Sequence, residues 1–270
     1  MIPFLHLGPV TIPTFGLMVA TGLLVAAYVL QADFDRRRAS FLKRSYLQET
    51  KELSHHDEGF LVIGIAGISG LVGARLYHVL ESPSDLMADP SMLYSRFGFA
   101  WFGGFIGGFI ALFFLARHYR IPALEFMDLC SPAAAVGYAI GRVGCLLSGD
   151  GDYGVPTKLP WGMSFPNGVV PTTEKVHPTP IYEFLIWMLI AVILWQVGKK
   201  TLNGEAAGRI FSYYLIFTGV ARFLIEFIRI NPRSFIGMSN AQTASLVSIL
   251  LGFVLLLRTK SATPSPAKEA

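Results

Sequence analysis

The stretch GFLVIGIAGISGLVGARLYHV, Gly59–Val79, decides the fold. It carries one formal charge, Arg75, in a run long enough to cross a bilayer, for which a helix needs roughly 20 mainly apolar residues. Six more apolar runs flank it, at about Thr11–Ala32, Gly98–Ala116, Ala123–Leu147, Pro180–Val197, Arg209–Ile228 and Ala241–Leu257. Lipid leaves no water to satisfy open backbone groups, so each run is expected as a helix. A β-barrel would show alternating segments of about ten residues instead. The whole chain agrees: 53% of its 270 residues are hydrophobic, 15% are charged, and the mean hydropathy is +0.51. A soluble domain would be about one-quarter charged. The expected fold is therefore an all-α integral membrane protein with seven transmembrane helices.

Lysine and arginine set the orientation, because they accumulate on the cytoplasmic side. Fourteen of them fall after the first, third and fifth runs and in the tail, led by Arg36, Arg37, Arg38, Lys43, Arg44 and Lys51. Five fall on the other side: Arg96, Lys158, Lys175, Arg229 and Arg233. The N-terminus is thus expected outside and the C-terminus in the cytoplasm. Residues 80–97 form an exterior arm and 148–179 an exterior loop rich in Gly, Pro and Asp. The segment Phe34–Leu53 reads as an inner-leaflet stretch or a solvated linker. Residues 1–260 make one transmembrane domain, and 261–270 a disordered cytoplasmic tail. The first run lacks the basic start and small-residue cleavage site of a signal peptide, so it is expected to stay as a helix. Cys130 and Cys145 both lie in apolar runs and give no disulfide framework. A net charge of +4 without a basic soluble face offers nothing to nucleic acid.

Charged groups in hydrocarbon need a partner or a function. Arg75, Asp128, Arg142, Glu183, Arg222, Glu226 and Arg229 all fall within or at the ends of the runs. Arg222, Glu226 and Arg229 share one helix face by their spacing of four and three. Glu226 can neutralise one arginine, which leaves an excess of positive charge at membrane depth. Arginine in a dry site suits a phosphate, because its fork donates two hydrogen bonds and keeps its proton. A phospholipid-headgroup site is the expectation. Glycines recurring at 64, 67, 70 and 73, at 103, 104, 107 and 108, and at 137, 141 and 144 predict close helix contacts.

From Gly141 the chain reads GRVGCLLSGDGDYG, ending at Gly154. This resembles the signature of the prolipoprotein diacylglyceryl transferases, close to G-R-x-G-N-F-x-N-G-E-x-x-G. His177–Glu183 (HPTPIYE), Arg222–Arg229 (RFLIEFIR), Phe97–Gly108 and Phe15–Met18 (FGLM) resemble the family's other motifs in the same order. The resemblance covers about residues 9 to 258. It implies transfer of a diacylglyceryl group from phosphatidylglycerol to the cysteine thiol of a prolipoprotein lipobox, with no cofactor or metal, in a bacterial inner or plasma membrane. It further implies that Arg142 and Arg222 hold the lipid phosphate. Glu226 and Arg229 support them, Gly154 closes the signature, and His177, Tyr182 and Glu183 form the loop-to-helix motif. Several family positions differ: the third-helix histidine is Phe102, the first-helix tyrosine Phe15, the signature asparagines Cys145 and Ser148, and a late tyrosine Thr218. The signature also carries one extra residue within Gly149–Asp152. The base for the thiol must then come from elsewhere, with Asp150, Asp152 and His177 as candidates, whereas Cys145 reads as a small buried residue.

Two rivals belong to other classes. Gly67–Gly70 (GISG) looks like a rhomboid-type G-x-S-G, but His78 lies about 13 Å from Ser69 by helical rise. A non-catalytic or transport-type membrane protein that binds anionic headgroups would also carry embedded charges.

Overall fold

The computed structural model describes residues 1–43, 57–81, 101–200, 207–232 and 237–261. The exterior arm, most of the stretch beyond Lys43 and the tail past Ser261 lie outside the described residues. A short hairpin opens the chain, with β1 (Phe4–Leu7) antiparallel to β2 (Val10–Pro13). Among the described residues seven helices follow: α1 (Thr14–Lys43), α2 (Glu58–Glu81), α3 (Trp101–His118), α4 (Ala123–Ser148), α5 (Thr179–Lys200), α6 (Arg209–Ile225) and α7 (Asn240–Ser261). Between α4 and α5 a second hairpin pairs β3 (Met163–Phe165) with β4 (Thr172–Val176).

Among the described residues five helices, α1, α2, α4, α5 and α7, are long and apolar enough to cross a membrane. The apolar part of α3, Gly103–His118, is shorter, and α6 spans 17 residues. Their outer faces carry exposed Leu, Ile, Val and Phe in numbers that water would not tolerate, as on Leu24, Leu71, Leu80, Phe114 and Leu250.

Helix α4 is the centre. It packs along α1 and α5 and touches α6, while α2 pairs with α3 and α6 with α7. Five of its residues, Phe126, Leu129, Ala133, Ala135 and Ala139, are fully buried. The glycine stripes explain two contacts. A Cβ at Gly107 would meet the Ser69 carbonyl and Gly73, which fixes α3 against α2. A Cβ at Gly22 would stand 2.9 Å from the Gly137 carbonyl, which fixes α1 against α4. Ser69 is therefore part of a helix seam.

Helix α1 runs further than expected, through Arg36, Arg37 and Arg38 to Lys43. Asp33 is the physical reason. Fully buried, it accepts from Arg36 Nε at 2.5 Å and Arg37 Nε at 2.8 Å, one turn on. Arg36 also donates to the Trp195 carbonyl at 3.1 Å and lies 4.0 Å over its ring. The first part of the supposed linker is thus packed helix that locks α1 to the end of α5.

Asp128 finds its partner in a helix terminus. Its two oxygens accept the backbone N–H groups of Gly208 and Phe211, both at 2.7 Å, at the start of α6. Asp128→Ala leaves both donors unsatisfied and is expected to lower stability by about 1–3 kcal/mol. The unfolding midpoint in detergent should fall, and by less for Asp128→Asn, which keeps one acceptor.

Candidate active site

The site is built where α4, α5 and α6 end near the second hairpin. Arg142 sits in the last two turns of α4, Glu183 in the first turns of α5, and Arg222 in the last turn of α6. Glu226 caps α6, and Arg229 follows it. Glu183, wholly buried, is the hub. Its Oε2 lies 2.6 Å from Arg142 Nη2 and 3.4 Å from Arg229 Nη1. Its Oε1 lies 3.0 Å from Arg222 Nη1 and accepts from the Tyr138 hydroxyl at 3.0 Å. Glu226 takes the other side of Arg222 at 3.1 Å and lies 3.8 Å from Arg229 Nε. Asn231 Nδ2 donates to it at 2.5 Å.

The signature loop closes the network. Asp152 places one carboxylate oxygen on Arg142 and the other on Arg229. Three guanidinium groups thus face three carboxylates, and the excess of positive charge expected from the sequence is balanced. The correction has a plain cause: Glu183 and Asp152 come from other elements, and their approach cannot be read from spacing along one helix. Arg75 is buried on α2.

Two glycines shape the loop. Gly149 ends α4 at φ 59, a left-handed conformation that glycine adopts without strain, and donates to the Cys145 carbonyl at 2.9 Å. Gly154 runs between two segments. Its N–H donates to the His177 carbonyl at 2.8 Å, it bridges to Arg229, and a Cβ there would stand 2.5 Å from the Ile228 carbonyl. That close approach brings the signature beside Arg229. Thr179 Oγ1 donates to the Asp152 carbonyl at 2.5 Å and anchors the loop on α5. Below it, Tyr153 stacks on Phe165 at 5.1 Å, with Met1 and Leu146 packed against the pair.

Charge also sets the acidity of the loop. Partial burial pushes the Asp152 carboxyl up, but Arg142 and then Arg229 hold it down to about 2. Its ionised contacts contribute fully above the ordinary Asp value of about 3.9 and are lost as the pH falls towards 2. Asp150 moves the other way, pushed up by burial and then by Asp152 beside it. Cys145, Asp150 and Asp152 bring ligand atoms within 4.8 Å of one another, the spacing of a metal group. Asp152 is engaged by two guanidinium groups, and Cys145 Sγ lies 3.2 Å from Arg142 Nη1. Positive charge already stands where a cation would.

The model of the family described as prolipoprotein diacylglyceryl transferase matches residues 3–258. The chain belongs to this family. It is a transferase. A relative from Clostridium tetani, named phosphatidylglycerol–prolipoprotein diacylglyceryl transferase, is 34% identical over 88% of this chain and 89% of its own length. Another from Clostridium perfringens with the same name, numbered 2, is 28% identical over 90% and 89%. One from Bifidobacterium longum subsp. infantis is 29% identical over 98% of this chain and 86% of its own. The transport-type and protease readings have no comparable support.

Among the motif positions, the structure gathers Arg142, Arg222, Glu226, Arg229, Glu183 and Gly154 into one network. His177, just before α5, and Tyr182, in its first turn, form a second group 3.3 Å apart, with Trp161 Nε1 donating to the tyrosine hydroxyl at 2.8 Å. At two of the positions where this transferase departs from the family pattern, the hydroxyl bonds its own helix, whereas Cys145 stays beside Arg142. Ser148 donates to the Cys145 carbonyl and Thr218 to the Tyr214 carbonyl, each on its own helix. Phe102 opens α3. Three contributors were missed from the sequence, Tyr138, Thr179 and Asn231. Tyr138 could have been found, since it lies one turn before Arg142, whose guanidinium sits 5.2 Å over its ring.

Glu183→Ala strips a counter-charge from three arginines at once, two of them buried. A loss of about 3–5 kcal/mol is expected, in the range for breaking a buried pair, and larger than that of Glu226→Ala. Thermal unfolding of the two variants in one detergent makes the comparison.

Proposed function

We propose that this transferase carries the diacylglyceryl group of phosphatidylglycerol to the lipobox cysteine of a bacterial prolipoprotein. It does so in an inner or plasma membrane that it crosses seven times, with the N-terminus outside. The observation that carries the reading is the convergence of Arg142, Arg222 and Arg229 on one buried glutamate, in a chain that matches the family nearly end to end. The substrate thiolate attacks the glyceryl carbon esterified to the phosphate. A carbon–sulfur bond forms, the carbon–oxygen bond breaks, and its electron pair leaves with glycerol phosphate. Arg142 and Arg222 bind the phosphate and stabilise the charge that grows on it, with Glu226, Arg229 and Gly154 supporting them.

Asp150 takes the thiol proton in this account. Its raised pKa makes it a better acceptor than an ordinary aspartate, and it lies in the loop beside Cys145 and Asp152. His177, at the end of the exterior loop where the acceptor peptide arrives and beside Tyr182 of α5, is the second group able to receive that proton.

Mass spectrometry of the purified protein with phosphatidylglycerol and a lipobox peptide is expected to find a thioether-linked diacylglyceryl peptide. A folded protein that yields none across several anionic lipids defeats the reading. Arg142→Lys and Arg222→Lys keep the charge but lose the fork, and each should slow the reaction by roughly a hundredfold. Asp150→Asn should cost about a hundredfold or more, and His177→Gln less. In the wild type the rate rises with pH as Asp150 loses its proton, so the acid limb lies above the ordinary Asp range. Persistence of that limb in Asp150→Asn would remove Asp150 from the role.

A further inference from the structure

We propose that Asp152 holds the place of the lipid phosphate: its carboxylate fills the cleft between Arg142 and Arg229 in the resting protein and is displaced by the anionic headgroup. The proposal rests on the reading that this network receives phosphatidylglycerol. It begins from charge. Arg142, Arg222 and Arg229 are already matched by Glu183, Glu226 and Asp152. Adding a phosphate to that set would leave an unbalanced negative charge in a largely buried site, which costs several kcal/mol. One carboxylate has to leave.

The three are not equally free to do so. The Glu183 side chain is fully buried and bonded to all three arginines and Tyr138. Glu226 is buried between Arg222, Arg229 and Asn231. Asp152 keeps 31% of its side chain open, and it stands on a loop. The residue before it, Gly151, has φ 92, a conformation that glycine adopts readily. Its backbone is tethered separately, through the Thr179 hydroxyl at 2.5 Å and Arg229 Nη1 at 3.4 Å on its carbonyl. The side chain can therefore swing out while the loop stays seated.

The geometry fits the exchange. Asp152 offers one oxygen to Arg142, the guanidinium that the phosphate would share with Arg222, and the other to Arg229, which supports that site. The groups that face the carboxylate are Arg142 from α4, Arg229 beyond α6, and Asp150 in its own loop. Because the two arginines hold its carboxyl to about 2, protonation at neutral pH does not release it. An arriving anion does.

The test is the affinity of the full-length protein in detergent for glycerol phosphate, read from ligand-induced thermal stabilisation, which needs no turnover. If the carboxylate occupies the cleft in nine-tenths of molecules, Asp152→Asn should bind about tenfold more tightly, and KM for phosphatidylglycerol should fall with it. Asp152→Ser, shorter and also neutral, should shift the same way and serves if the asparagine variant is unstable. Unchanged or weaker affinity in a folded variant overturns the proposal and makes Asp152 a structural anchor only. Absence of lipidated peptide would defeat the transferase reading alone. Unchanged affinity in a variant that still lipidates would defeat the placeholder alone.

Discussion

Three guanidinium groups cannot be packed at membrane depth unless carboxylates meet them there, and Glu183 is where they meet. Arg142, Arg222 and Arg229 arrive from the ends of α4 and α6, and Glu183 stands on α5 with no exposed surface. Each of these helices gains from ending near the others, because the alternative is a buried charge without a partner. The constraint therefore fixes the mutual height of the three helices as well as the site. Glu226 and Asp152 complete the balance from either side.

The loop after α4 is the movable part of an otherwise rigid arrangement. Its ends are pinned by ordinary means: Gly149 turns the chain off the helix, Gly154 threads it between His177 and Ile228, and Tyr153 stacks on the hairpin below. Between those points stand Asp150 and Asp152, two carboxyls driven in opposite directions by their surroundings. A pair of acids split in this way provides one group suited to accept a proton and one suited to stay ionised against cations. In this chain they stand two residues apart in the signature, in a protein whose third helix offers Phe102 where the family's histidine is expected.

Much of this was legible in the sequence, for physical reasons. Runs such as Gly59–Val79 admit no other solvent than lipid, so the helices follow from composition. The embedded arginines stand out because each is costly, and the Arg222–Glu226–Arg229 face follows from helical spacing. What could not be read was the balance between elements. Glu183 and Asp152 cancel charges on helices far from them in sequence, and nothing along any single helix announces that. The extension of α1 through Arg36 and Arg37 was hidden for the same reason, since it depends on the burial of Asp33 and on Arg36 reaching Trp195 of α5. The Asp128 carboxylate likewise looked like an unexplained charge until the start of α6 was placed beside it.

A density map of the full-length protein in a bilayer disc containing phosphatidylglycerol tests the central claim most directly. The account predicts headgroup phosphate within about 4 Å of the Arg142 and Arg222 guanidinium groups, the range of a charged pair, with Glu183 still seated between the helices. Lipid bound elsewhere, with these arginines engaged only by their carboxylates, would contradict it.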